Sequence, residues 1–95
     1  MDKTDTNVKQ EFVLKNKFGM HARTAAVFVR TAAGFSCDIN VRKDDVSANG
    51  KSIMDLMVLG AGPGSTLTVE IAGNDAVAAM KAIEELFNKT FLEIM

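Results

Sequence analysis

The most constraining feature of the chain is that two periodicities take turns along it. Period-two alternation runs through Val8, Gln10, Phe12 and Leu14, then through Cys37, Ile39 and Val41, then through Leu67, Val69 and Ile71. Between and after these stretches, core-type residues recur at three- and four-residue spacing. One such stripe is Ala22, Ala25, Ala26, Val29, Ala32 and Ala33, and another is Ala76, Ala79, Met80, Ile83, Leu86, Phe87 and Thr90. A strand sends successive side chains to opposite faces, whereas a helix brings every third or fourth to one face. The chain therefore reads as strands interleaved with amphipathic helices, and the wet positions between the apolar ones say that only one face of the sheet is covered.

Turn chemistry fills in the connections. Asn16-Lys17-Phe18-Gly19 ends the first strand, and Gly34 is placed as a C′ cap with Phe35 folding back on the helix. Lys43-Asp44-Asp45 turns the chain into a short Val46-Ser47-Ala48 strand, and Asn49-Gly50 turns it again. Ser52 then opens a short helix carrying Ile53, Met54, Leu56 and Met57, Gly60 to Ser65 is a loop, and Asn74 caps the last helix. The order βαββαβα, with hairpin-like connections, predicts an α+β fold: an open-faced β-sandwich with a four-stranded antiparallel sheet and its helices on one face. A length of 95 residues fits a single domain, with residues 1–7 expected as a flexible tail.

Composition narrows the function classes. A net charge of -1 provides no general attraction for nucleic acid or anionic membranes. Cys37 is the only cysteine, so neither an internal disulfide nor a cysteine-based zinc site is expected. No signal-like apolar segment and no run of about 18 apolar residues is present, which predicts a cytoplasmic protein. No cofactor or metal is expected, the partners are expected to be proteins or small molecules, and the chain is expected to be a monomer.

His21 is the sole histidine, and it lies where the loop Phe18-Gly19-Met20 enters the first helix. A helix start presents unpaired N–H groups and the positive end of the helix dipole, which together favour a phosphate or another anion. Arg23, two residues on, can offer a planar fork of donors to phosphate oxygens. An imidazole is a competent nucleophile near neutral pH without a separate base. Nucleophile, anion cradle and cation thus fall within three residues. The bland alternative is a histidine that caps the helix beside a solvated arginine.

Gly19-Met20-His21-Ala22-Arg23 ahead of an alanine-rich helix, and Gly50-Lys51-Ser52-Ile53-Met54-Asp55-Leu56-Met57 about thirty residues later, resemble the two signature stretches of the HPr family. The resemblance runs in order and spacing from Val8 to Phe91. It implies an open-faced sandwich and a shuttle in the phosphoenolpyruvate-dependent phosphotransferase system, in sugar uptake or in its nitrogen-related branch. It further implies that His21 takes a phosphoryl group from enzyme I and passes it to an enzyme IIA domain, with Arg23 stabilising the group in transfer. The first helix and the short one after Ser52 would form the docking surface, with Met20, Ile53, Met54 and Met57 as contacts; methionine is a pliable residue for several partners.

Two positions carry open readings. Ser52-Ile53-Met54-Asp55 has the spacing of a capping box, while the resemblance adds that some bacteria phosphorylate the matching serine with a dedicated kinase. Thr24 stands where the family pattern has proline, and it brings a backbone N–H and a hydroxyl near the phosphate position, a possible phosphoryl contact. Gly50-Lys51-Ser52 imitates the end of a P-loop but lacks its first glycine, and Gly60-Ala61-Gly62-Pro63-Gly64 reads as an ordinary loop. The rival functions are a small acylphosphatase-like hydrolase, for which no general base is evident, and a non-transporting HPr-like regulator, in whose relatives the active-site histidine is replaced.

Overall fold

The computed structural model describes residues 6–94. Its elements are β1 (Asn7–Val13), α1 (Ala22–Ala33), β2 (Asp38–Lys43), β3 (Val46–Asn49), α2 (Ile53–Val58), β4 (Thr66–Ala72) and α3 (Ala76–Glu85). A π-helical turn, Leu86–Thr90, carries α3 into a last turn, α4 (Phe91–Ile94). The strands form one sheet in the order β1-β4-β2-β3, and all three pairings are antiparallel. This is the expected architecture.

The register explains why one face is apolar. Val8, Gln10 and Phe12 stand opposite Ile71, Val69 and Leu67, while Ile39 and Val41 stand opposite Ile71 and Val69 on the other side of β4. Cross-strand neighbours on one face thus bring their branched side chains together, the basic unit of sheet stabilisation. Phe87 then ties the layers: it stacks on Phe12 of β1 at 4.5 Å and meets Phe28 of α1 and Phe91 of α4 edge-on at 6.3 and 5.1 Å. Such aromatic pairs add about 0.5–1.5 kcal/mol each beyond the area they bury.

Several sequence expectations are corrected. Asn7, assigned to the tail, is the first residue of β1, and the Thr6 carbonyl accepts from the Gly73 N–H; residues 1–5 of that tail lie outside the described residues. The inward stripe of α1 is Thr24, Ala25, Phe28 and Ala32, not the expected stripe of alanines and Val29, because bulky Phe28 finds the core and leaves Ala22 and Ala33 exposed. Gly34 ends α1 in right-handed geometry at φ -75, so no left-handed cap is formed. In the last helix the π turn advances the face, so that Phe91 is buried where α-helical spacing puts Thr90.

Asn74 does not cap α3. The residue at that cap is Asp75, and its carboxylate is turned away from the helix to accept from the Ser36 N–H at 2.8 Å and the Cys37 N–H at 3.0 Å. These donors, Ser36 first, hold the Asp75 carboxyl below its ordinary pKa. The Cys37 thiol is pushed up, by its burial foremost and by the neighbouring Asp75. Cys37 is therefore a buried, protonated core residue.

Candidate functional site

The loop that delivers His21 is built from backbone constraints. Gly19 sits at φ +65, where a side chain is strained, and a β-carbon on it would collide with the Ala61 carbonyl oxygen and the Gly62 backbone. The next residue, Met20, donates its N–H to the Ala61 carbonyl at 2.8 Å. Asn16, itself buried, closes the other end by donating from Nδ2 to the Gly19 carbonyl at 2.8 Å. The Gly/Pro loop is thus not ordinary: Ala61 and Gly62 are the wall against which the histidine loop is set.

His21 is the N-cap residue of α1, with extended backbone at φ -113 and ψ -174. Its Nδ1 accepts the Arg23 N–H at 3.2 Å, which places that lone pair over the open helix start. Nε2 faces inward, enclosed and without a hydrogen-bond partner among the described residues. Phe18 stands edge-on to the imidazole at 6.0 Å, and Lys17 lies over the Phe18 ring. An imidazole that offers Nδ1 to a helix N-terminus and hides Nε2 can accept an electrophile at one nitrogen only. Arg23 is exposed beside it, and among the described residues its guanidinium enters neither an ion pair nor a hydrogen bond. It is at liberty to swing onto a bound anion.

The structure gives the Thr24 hydroxyl a different role from a phosphoryl contact. Its side chain is fully buried, and Oγ1 accepts the His21 N–H at 3.0 Å while its own proton lies within reach of the Gly19 carbonyl at 3.0 Å and the His21 carbonyl at 3.1 Å. No surface of the hydroxyl is left for a ligand. Met20 is corrected as well: expected on the docking surface, it is 6% exposed and packs in the hydrophobic core cluster.

Ile53, Met54 and Met57 are exposed on α2, Met54 at 78%. Val58 on the same helix and Phe18 in the loop before His21, which periodicity did not single out, are exposed as well. Since α2 packs against α1, the patch lies on the same side of the molecule as the helix that begins at His21. Ser52 caps α2 by accepting the Asp55 N–H at 3.2 Å, but only half of the capping box forms. The Asp55 carboxylate reaches past Ser52 to the Asn49 N–H, and the Ser52 N–H donates to the Asn49 carbonyl. No group of three or more histidine, cysteine or acidic residues able to hold a metal occurs among the described residues. Among them, too, no helix is long and apolar enough to cross a membrane.

A profile for the PTS HPr component phosphorylation site matches residues 8–89. The chain belongs to the HPr family. Phosphocarrier protein HPr of Neisseria meningitidis serogroup A is 42% identical over 86 residues, covering 90% of this chain and 97% of that protein. The HPr-like protein Crh of Halalkalibacterium halodurans is 43% identical over 82 residues, covering 86% and 98%. Among solved structures, HPr from Thermoanaerobacter tengcongensis superposes with a TM-score of 0.85 at 42% identity, covering 88% of this chain and 94% of the other. The open-faced sandwich read from periodicity is the HPr fold, and the chain is an HPr-type phosphocarrier of the phosphotransferase system.

Proposed function

We propose that the protein carries a phosphoryl group on Nδ1 of His21, received from enzyme I and given to an enzyme IIA domain. The observation that carries this reading is the orientation of the imidazole: Nδ1 meets the Arg23 N–H at the start of α1, and Nε2 is enclosed. In the forward step the Nδ1 lone pair forms the bond to phosphorus while the bond to the donor's leaving atom breaks and its electron pair departs with the donor. The proton of the neutral ring stays on Nε2, so no base is required. The Arg23 N–H loses Nδ1 as acceptor and becomes a donor to a phosphoryl oxygen, and the guanidinium supplies charge that grows as the group moves. Donation to enzyme IIA is the same step with acceptor and donor exchanged.

The exposed apolar face of Ile53, Met54, Met57, Val58 and Phe18 is the docking surface in this reading, and it excludes water from the transferring group. Phosphorylation of Ser52 by a serine kinase would put charge at the edge of that face. The protein acts as a monomer in the cytoplasm, where HPr proteins usually work. The identity to Crh makes a regulatory role the second reading; His21 favours the carrier.

The test is incubation with phosphoenolpyruvate and catalytic enzyme I, read by intact mass and phosphorus NMR. One acid-labile phosphoryl group per chain on the wild type and none on folded His21→Ala is the expected result. Phosphate retained by His21→Ala refutes the assignment, and continuous release of phosphate without an acceptor would favour a hydrolase.

A further inference from the structure

The Gly19 carbonyl is the meeting point of two buried side chains. Asn16 Nδ2 donates to it at 2.8 Å from one side and Thr24 Oγ1 at 3.0 Å from the other, while the same Oγ1 accepts the His21 N–H. Gly19 and His21 flank Met20, whose N–H is anchored on Ala61. Every residue from 19 to 21 is therefore tied by a hydrogen bond outside regular secondary structure, and Thr24 holds both ends of that three-residue span. Its hydroxyl is fully buried, so these bonds form without competition from water.

We propose that Thr24 is a positioning residue for phosphoryl transfer, acting with Asn16 through the Gly19 carbonyl to hold the His21 backbone so that Nδ1 stays over the helix start. The inference rests on the phosphocarrier reading and adds to it a residue whose buried side chain touches neither phosphate nor partner. Where the family pattern has proline, a ring restrains the chain at this position; here a hydrogen-bonded hydroxyl restrains the preceding loop instead. Rotation of His21 about its backbone would take Nδ1 away from the Arg23 N–H and expose the enclosed Nε2. Displacement of a reacting atom by about 1 Å can cost on the order of 100-fold in rate, so a small loosening suffices to matter.

The experiment compares wild type with Thr24→Val, which keeps the shape and deletes the hydroxyl, Thr24→Ser, which keeps the hydroxyl, and Asn16→Ala. Initial rates of phosphorylation by enzyme I are taken across carrier concentrations, and long-range nitrogen–proton NMR of the His21 ring is recorded on each free protein. Thr24→Val is expected to lower kcat by about 10-fold or more with KM within about 3-fold, and to replace a single Nε2–H tautomer by a mixture. Thr24→Ser is expected to stay within about 3-fold of wild type and to keep the tautomer. Unchanged kcat in Thr24→Val, a loss confined to KM, or an equal fall in Thr24→Ser overturns the proposal. Should Thr24→Val fail to fold, an unchanged kcat and ring tautomer in Asn16→Ala overturns it equally. If wild type takes no phosphate from enzyme I, the phosphocarrier reading fails, and the ring tautomer alone then decides the role of Thr24.

Discussion

Gly19 passes so close to Ala61 that a side chain at position 19 would drive into the Ala61 carbonyl. The same carbonyl takes the Met20 N–H, so the contact that forbids a β-carbon also anchors the residue next to His21. Gly19→Ala has to bear positive φ, about 1–2 kcal/mol, and the displacement of a packed backbone, a further ~1–3 kcal/mol. We expect a loss of about 2–5 kcal/mol in urea unfolding together with slower acceptance of phosphate. A loss below about 0.5 kcal/mol would mean that the two loops are not held together as described.

What was legible in the sequence follows from how local each signal is. Strand faces at Phe12, Val41 and Val69 depend on a two-residue period, and the helix start at His21 depends on a loop ending at a run of helix formers; both read correctly. The inward face of α1 is turned from the expected stripe because small alanines mark one side of that helix whether or not they are buried, and only packing against the sheet distinguishes Phe28 and Thr24 from Ala22. The last helix was misread at Thr90 because a π turn has no marker in side-chain spacing. Asn74 is the cap that the local pattern offers, yet the cap residue is Asp75, whose carboxylate reaches residues 36 and 37, a long-range pairing that no local pattern encodes. Of the candidate site, the sequence offers His21 and Arg23 as candidates at a helix start, whereas the buried hydroxyl of Thr24, the Asn16 clamp and the wall at Ala61 require the fold. An asparagine three residues before a glycine in a short loop was the one available hint of that clamp.

Arg23 offers a clean separation of chemistry from stability. Its side chain is exposed and, among the described residues, unpaired, so Arg23→Ala is expected to change stability by no more than about 0.5 kcal/mol. Its proposed contact forms with the phosphoryl group in flight, so kcat should fall by about 10- to 100-fold, equivalent to about 1.4–2.7 kcal/mol of barrier, with KM nearly constant. Steady-state kinetics with enzyme I decide this, and a rise in KM alone would move Arg23 from the transfer step to docking.

Asp75 ties the start of β2 to the start of α3 and should make stability depend on pH. Because the Ser36 N–H holds its carboxyl below the ordinary value of 3.8, the folded state binds fewer protons than the unfolded state in the acid range. The Asp75 contribution is therefore complete above that ordinary value and disappears as pH falls through the lowered one. Asp75→Asn should be less stable than wild type at pH 7, with the two urea midpoints converging toward pH 2. A gap that stays constant from pH 7 to pH 2 would show that the carboxylate charge contributes nothing.

Ser52 tests whether charge beside the apolar face governs docking. Aspartate is an acceptable N-cap, so Ser52→Asp can keep the acceptor for the Asp55 N–H and leave α2 in place. The new carboxylate lies one turn from Asp55, a like charge, and the adjacent Lys51 has its Nζ engaged by the Phe35 carbonyl. The added charge projects toward partners that must cover Ile53 and Met54, exposed immediately after it. A charge that must be desolvated in an apolar contact weakens association, and one at the rim acts through a field that salt screens within about 10 Å at 0.1 M. Ser52→Asp is therefore expected to raise the KM for phosphorylation by enzyme I by about 3- to 10-fold at low salt and by less at high salt, with kcat little changed. Kinetics equal to wild type at both ionic strengths would show that position 52 lies outside the docking surface, and would remove the physical basis for regulation through this serine.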